Sequence, residues 1–281
     1  MRKFLALAAV GATAGITLVA CGGDDSGSEA QAASFEMVQP ASGDPTMSGP
    51  SSLKSGAVAV SFKNTGQAPA DLQLVGVEGD HSVDEVLQVV GSQDGPIPDW
   101  LTGEGGVGTI APGQTGTATV LLDKGKYYAI GEVDSEDDNG PPPASVALDV
   151  TGDGKGSLPS AGATIKAKEY SFDVKGLKAG SNTVKFENDG QQLHHLIAAP
   201  LADGATIEDV KKFVQTEGEP QGEPPLNFEA STGTAVIDKG RALVTTLDLK
   251  PGKYVFMCFM TNRDGGAPHA MQGMIQEVNI T

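Results

Sequence analysis

Residues 245–258 read TTLDLKPGKYVFMC, and this stretch decides the fold. Residues 246–249 alternate polar and apolar side chains, which is typical of a half-buried β-strand. The Lys-Pro-Gly triplet that follows favours a turn. The chain then places Tyr254, Phe256 and Cys258 at every second position, so these side chains share one face of the next strand. The pattern predicts two short strands joined by a turn, the second ending at a cysteine.

Segments in and before this stretch show that the chain contains two copies of one unit. The matched segments are 53–56 with 177–180 (LKSG and LKAG), 60–67 with 184–191 (VSFKNTGQ and VKFENDGQ), 83–86 with 207–210 (VDEV and IEDV) and 124–127 with 251–254 (KGKY and PGKY). The first three pairs keep an offset of 124 residues, and the last has an offset of 127. Self-similarity at this length indicates a duplicated domain rather than a solenoid.

The duplication sets the predicted domain boundaries. One domain spans residues 35–152, a Gly-, Ser- and Pro-rich linker spans 153–162, and the second domain spans 163–281. Each contains several short strands and one short helix, which predicts an all-β protein of two tandem sandwiches. The 38 glycines, 17 prolines and 5% aromatic residues of the chain agree with short strands joined by many turns.

The net charge of −17 excludes some classes of partner. An acidic surface repels nucleic acids and anionic lipid headgroups, and it attracts cationic proteins and metal cations. We therefore expect no nucleic-acid partner.

The first 20 residues read as an export signal, with a basic start and an apolar run that ends in small residues. The following LVACGG at 18–23 resembles the lipobox of bacterial lipoproteins. That resemblance implies cleavage before Cys21, lipidation of Cys21, and attachment to the cell membrane on its extracytoplasmic face. Residues 21–34 read as a flexible tether. With Cys21 lipidated, Cys258 is the only remaining thiol and cannot form an internal disulfide.

Chemistry-bearing side chains concentrate in the second copy. The window 257–274 contains Cys258, His269 and four methionines, and the pair His194-His195 follows the Asn188 turn. A thiolate, two imidazoles and a weak thioether suit both oxidation states of copper. A β-sandwich can hold such donors at one end with little rearrangement when an electron moves.

These residues resemble the cupredoxins, the type 1 blue-copper family, over roughly residues 163–281 and, without ligands, in the first copy. The resemblance implies Greek-key sandwiches and one copper ion held by His194, Cys258, His269 and Met274. The sequence leaves His195 open as an alternative to His194, and Met271 as an alternative to Met274. The ten residues between Cys258 and His269 are more than compact plastocyanin-like members have, although the copper nitrite reductase type also has a long loop here.

Other interpretations of the same residues are structural. Cys258 is also a candidate for a buried small hydrophobe, and the methionines for gap fillers. The first copy has Ala70 opposite His194 and Gly131 opposite Cys258, so we expect it to be free of ligands. Its acidic run 134–140 reads as a solvated loop more readily than as a cation site, because it lacks EF-hand spacing.

Several functions compete on this evidence. The first is a membrane-anchored one-electron carrier with a cationic redox partner. The second is copper storage or delivery, suggested by the additional Met257, Met260 and Met271, and the third is a metal-free interaction module. A hydrolase with Cys258 as nucleophile lacks supporting motifs, and nitrite reduction requires a second, all-histidine copper site. On these grounds we expect a carrier or binding protein rather than an enzyme.

Overall fold

The computed structural model describes residues 30–40, 42–92, 95–134, 140–216 and 222–281. The first half consists of nine strands and one helix among these residues. They are β1 (Gln31–Val38), β2 (Thr46–Ser48), β3 (Ser52–Lys54), β4 (Gly56–Asn64), β5 (Ala70–Val77), α1 (Val83–Gly91), β6 (Leu101–Ile110), β7 (Thr115–Leu122), β8 (Gly125–Val133) and β9 (Ala144–Thr151).

After residues 152–162, which form no strand or helix, the described part of the second half has a similar order of elements, with eight strands, one helix and an additional 3₁₀ turn. Its elements are β10 (Ala163–Lys168), β11 (Ser171–Lys175), β12 (Gly180–Asn188), β13 (Ile197–Pro200), α2 (Ile207–Val214), a 3₁₀ turn (Phe228–Ala230), β14 (Thr232–Gly233), β15 (Ala242–Leu249), β16 (Gly252–Met257) and β17 (Ile275–Ile280). The predicted all-β fold, with one short helix in each half, is confirmed.

The first strand begins earlier than the sequence predicted. Residues 31–34 were assigned to the tether, yet β1 starts at Gln31 and pairs in parallel with β4. Ala33, Phe35 and Met37 alternate toward the core and are almost fully buried. This apolar alternation, with the strand partner that β4 supplies, outweighs the small-residue composition that suggested a tether.

The two sandwiches share one sheet. In each half, four strands face a second sheet, which is β3-β9-β8-β5-β6 in the first half and β14-β13-β16-β17 in the second. The facing strands join into a single eight-stranded sheet, β11-β10-β12-β15-β7-β4-β1-β2, through antiparallel pairing of β7 with β15. Ala118 pairs with Thr245, its counterpart at offset 127. The halves are therefore joined by backbone hydrogen bonds as well as by the linker.

Polar contacts add to this junction. The Gln73 side chain of β5 accepts a hydrogen bond from the Val236 N–H (2.8 Å) and donates to its carbonyl (3.0 Å). Glu104 of β6 is buried and pairs with Arg241, with 2.9 Å between Oε2 and Nε. Burial raises the pKa of Glu104, although the Arg241 charge opposes the rise. The second half is thus fixed against β5 and β6 of the first.

Each helix starts with a capping box. Ser82 and Glu85 cap α1, and Thr206 and Asp209 cap α2, each pair exchanging side-chain-to-backbone hydrogen bonds. Val86 and Val210 anchor the helices to small apolar clusters at the sheet surfaces. Within the described residues, no helix has the length and apolar character that a membrane crossing requires.

Candidate metal centre

Side chains from three separate segments meet at one end of the second sandwich. His194 follows β12, and its backbone exchanges hydrogen bonds of 3.0 and 2.9 Å with Ile237. Cys258 directly follows β16, and His269 and Met274 lie in the loop between β16 and β17. The structure therefore brings the four predicted site residues to the same end of the fold.

Three of these side chains point their ligand atoms at one another. The Cys258 Sγ lies 3.6 Å from the Nδ1 of His194 and 3.6 Å from the Nδ1 of His269. The two Nδ1 atoms are 3.2 Å apart. The point equidistant from these atoms lies about 2.0 Å from each, close to the roughly 2.0–2.3 Å at which imidazole and thiolate bind a first-row metal. The cluster fits one copper ion.

The cluster is excluded from water. His194, Cys258 and His269 are all fully buried. Burial raises the pKa of the Cys258 thiol to about 12, although the backbone N–H groups of His195 and Met260 hydrogen-bond the sulfur and oppose the rise. The metal-free thiol is therefore protonated at neutral pH.

Burial has the opposite effect on the imidazoles, because their charged form is the protonated one. Burial and the neighbouring His194 lower the pKa of His269 to about 4. Burial also lowers the pKa of His194, against the attraction of the Glu169 carboxylate. Both rings are neutral at physiological pH, and so their nitrogen lone pairs are free to bind a metal.

The outer nitrogen of each ring faces an oxygen. The Nε2 of His269 lies 3.1 Å from Oδ1 of Asn262, which also accepts a hydrogen bond of 3.2 Å from the Tyr170 hydroxyl. The Nε2 of His194 lies 3.5 Å from Oε1 of Glu169 and has no closer hydrogen-bond partner. Such contacts fix the ring orientation of a metal-binding histidine and favour coordination through the other nitrogen.

Met274 lies beside this cluster. Its side chain is fully buried in the same apolar cluster as Cys258, and its backbone N–H donates to the His269 carbonyl (2.9 Å). The Ala270 N–H donates to the Cys258 carbonyl (2.7 Å). These backbone bonds fold the loop back toward the cysteine and keep Met274 in the apolar cluster that Cys258 belongs to.

The alternatives left open by the sequence lie elsewhere. The Nε2 of His195 accepts a hydrogen bond of 2.9 Å from the Phe259 N–H, so this ring is bound to the backbone beyond Cys258. Burial lowers the pKa of His195 to about 4, and the ring is neutral. Met271 is half-buried and packs on the apolar cluster beneath α2 rather than on that of Cys258. The buried triad contains His194 and not its neighbour.

The loop from Cys258 to His269 is tied to the first half of the chain. Arg263 pairs with the buried Asp238, and its guanidinium donates to the carbonyls of residues 97, 98 and 101 at 3.1–3.4 Å. Its backbone N–H donates to the Gln192 side chain (2.7 Å), two residues before His194. One arginine therefore connects both histidine-bearing segments to residues 97–101.

The corresponding end of the first half contains thioethers instead of a metal cluster. Ala70 is fully buried at the His194 position, and a Cβ placed on Gly131 would lie 3.0 Å from the Sδ of Met37 and 3.2 Å from that of Met47. Across the described ranges, His194, Cys258 and His269 are the one buried group that could hold a metal ion.

Some functional residues were missed from the sequence. Glu169, Asn262 and Arg263 carried no motif of their own. Arg241 and Arg263 are the only arginines after position 2, one upstream of the site motif and one inside it between Cys258 and His269, which was a usable signal. The predicted export signal, the lipidated Cys21, the tether up to residue 29 and most of the acidic run fall on residues outside the described ranges.

Comparison with known proteins shows that no family model and no curated protein matches this chain. Among solved structures, dithionite-reduced auracyanin from Roseiflexus castenholzii is 22% identical, with 42% of this chain and 94% of that chain covered and a TM-score of 0.27. The blue copper oxidase from Nitrosomonas europaea is 13% identical over 90% of this chain and 86% of that chain, with a TM-score of 0.26. Copper nitrite reductase from the same organism is 15% identical over 89% and 93%, also with a TM-score of 0.26.

The strands and sheets described above form two β-sandwiches that share one sheet. The likenesses to solved structures concern this fold alone and assign no activity to the chain. They do correct one expectation, that the protein is a carrier or binding protein rather than an enzyme. That expectation is wrong as an exclusion, because the similar structures include multicopper oxidases and copper nitrite reductases, which are enzymes. The expectation rested on the absence of hydrolase motifs and on the need of nitrite reduction for a second, all-histidine copper site, and the first of these grounds has no bearing on copper enzymes.

Proposed function

We propose that this protein binds a single copper ion through His194, Cys258 and His269, with the Met274 thioether as a weak fourth ligand, and transfers single electrons. The observation that carries the proposal is the convergence of two Nδ1 atoms and one Sγ within 3.2–3.6 Å of one another in a buried pocket. With this donor set, bound copper is stable both as Cu(II) and as Cu(I).

The protein supplies a donor set that is already assembled. Both imidazoles are neutral, and Asn262 and Glu169 stand at their outer nitrogens. The sheet holds His194 and Cys258 on neighbouring segments, so little rearrangement accompanies a change of charge at the site. Full burial keeps water and oxidants from the Cys258 sulfur.

A copper titration tests this function. The full-length protein is expected to bind one Cu(II) per chain and to develop an intense visible absorption from thiolate-to-copper charge transfer. Cys258→Ser removes the thiolate and is expected to abolish that absorption while the fold is retained. A colourless wild-type protein at saturating copper would contradict the proposal.

Copper delivery is the second candidate. Met260 is half-buried, packs against the apolar cluster that contains Cys258, and accepts a hydrogen bond of 2.8 Å at its backbone carbonyl from the His269 N–H, so a methionine stands next to a ligand residue. Delivery predicts that the protein releases Cu(I) to a competing chelator without unfolding. A single tightly held ion with a reversible redox wave would favour electron transfer instead.

We also propose that the chain is a duplicated, exported lipoprotein anchored through Cys21, with the copper site on the extracytoplasmic side. The LVACGG segment and the preceding apolar run support this location. The net charge of −17 favours a cationic redox or copper-handling partner. Cys21→Ser is expected to move the protein from the membrane fraction to the soluble fraction. Retention in the membrane would contradict the lipid anchor.

A further inference from the structure

The same asparagine turn stands before both ligand positions. Asn64 in the first half accepts a hydrogen bond from the Gly66 N–H (2.9 Å) and donates to the carbonyl of residue 68 (2.8 Å). Asn188 repeats both contacts with Gly190 (2.9 Å) and residue 192 (2.7 Å). The two turns are related by the offset of 124 residues. They provide an internal comparison within one molecule.

A different side chain anchors each turn. In the first half, Oε1 of Gln39 accepts from the N–H groups of residues 67 (3.0 Å) and 68 (3.3 Å). In the second half, Oε1 of Glu169 accepts from residues 191 (2.5 Å) and 192 (2.8 Å). A neutral amide oxygen is therefore sufficient to hold this turn, and the negative charge of Glu169 is not required for anchoring.

The charge of Glu169 faces an imidazole at a position where the first half has none. Its Oε1 lies 3.5 Å from Nε2 of His194, which is fully buried and has no closer partner. The position that corresponds to His194 in the first half is Ala70. A carboxylate therefore anchors the turn that has an imidazole beside it, and a neutral amide anchors the turn that has none.

We propose that Glu169 is a positioning residue whose negative charge orients the His194 ring and stabilises Cu(II) over Cu(I), thereby lowering the reduction potential of the site. This proposal rests on the proposed copper function. A carboxylate opposite the outer N–H of a ligand imidazole makes the ring a stronger electron donor. The higher positive charge of Cu(II) gains more from that donation than Cu(I) does.

The copper-loaded full chain with Glu169→Gln tests the proposal, because glutamine retains the anchoring oxygen and removes the charge. We expect one copper per chain, an intact visible band and a tenfold loss of Cu(II) affinity relative to Cu(I). This change corresponds to a rise of about 59 mV in the reduction potential measured by voltammetry. Gln39→Glu, the matched variant in the first half, is expected to leave the potential unchanged.

A coloured Glu169→Gln protein with the wild-type potential would overturn the role of Glu169 while leaving the copper function intact. A wild-type protein that binds no copper would overturn the copper function itself. Should the variant fail to fold, nuclear magnetic resonance of the wild-type Cu(I) protein decides the question. The Nε2 proton of His194, which faces a carboxylate, is expected further downfield than that of His269, which faces an amide. The reverse order would contradict the proposal.

Discussion

Each sandwich carries the same asparagine turn at one end. The two ends differ in the side chains that lie beside this turn. In the second half, Cys258 and two imidazoles form a buried triad. In the first half, Gly131 stands at the cysteine position, and the sulfurs of Met37 and Met47 approach it. Both halves keep the asparagine turn with matching hydrogen bonds.

This difference separates structural residues from chemical ones. The first half folds with a glycine, an alanine and two thioethers in place of the donors, so the sandwich does not need the cysteine or the histidines. In the second half, three polar groups occupy a site with no exposure to solvent, which costs desolvation energy in the metal-free state. Retention of a costly group where an apolar one suffices indicates that the triad serves a ligand.

The largest expected effect comes from breaking the link between the halves. Arg263→Ala leaves Asp238 buried without its cation and frees the ligand loop from residues 97–101. We expect the free energy of unfolding of the metal-free protein to fall by about 3 kcal/mol in urea titration. Arg263→Lys keeps the charge without the planar fork and is expected to lose less. A loss below about 0.5 kcal/mol would show that the ligand loop does not depend on the first half.

The pH dependence of metal binding sharpens the contrast between the second half, which carries the Cys258 thiol, and the first half, which carries the thioethers of Met37 and Met47. The Cys258 thiol has a pKa of about 12 in the metal-free fold, whereas both imidazoles are already neutral. Binding one Cu(I) near pH 7 therefore releases one proton, and the apparent affinity rises about tenfold per pH unit. Indicator measurements in weak buffer detect the proton. Cys258→Ser provides the control and is expected to release none. Absence of proton release from the wild type would contradict a protonated thiol.

The smallest expected effect lies at the first-half end. In Gly131→Ala, the new Cβ would lie 3.0 and 3.2 Å from two methionine sulfurs. Because these are ends of flexible side chains, a shift of a few tenths of an ångström relieves the contact, and we expect a loss of about 1 kcal/mol in unfolding free energy. The copper absorption band should be unchanged. An altered band would show that the two ends are electronically or mechanically coupled.

Much of this arrangement could be predicted from the sequence, because the alternation of side chains in the strands and the positions of the site residues along the chain determine it. Tyr254, Phe256 and Cys258 at alternate positions predict a shared face, and the structure buries all three. The convergence of His194, Cys258 and His269 follows from placing strand ends at the same end of a sandwich.

The remaining features depend on tertiary contacts without a sequence period. β7 and β15 have similar alternation of polar and apolar side chains, and their pairing joins the two halves into one sheet. The local sequence pattern is the same whether such strands pair with each other or stay in separate sheets. The reach of Arg263 to residues 97–101 spans more than 160 residues of chain. Glu169 acts through the outer face of an imidazole, and its own position marks it only as a charged residue between strands.

X-ray absorption spectroscopy of the copper-loaded full-length protein tests the central claim most directly, because it counts the atoms bound to the metal. The account predicts an inner shell of two imidazole nitrogens and one sulfur at about 2.0–2.3 Å. A shell of oxygen and nitrogen alone, with no short sulfur, would contradict the convergence of His194, Cys258 and His269 on one ion.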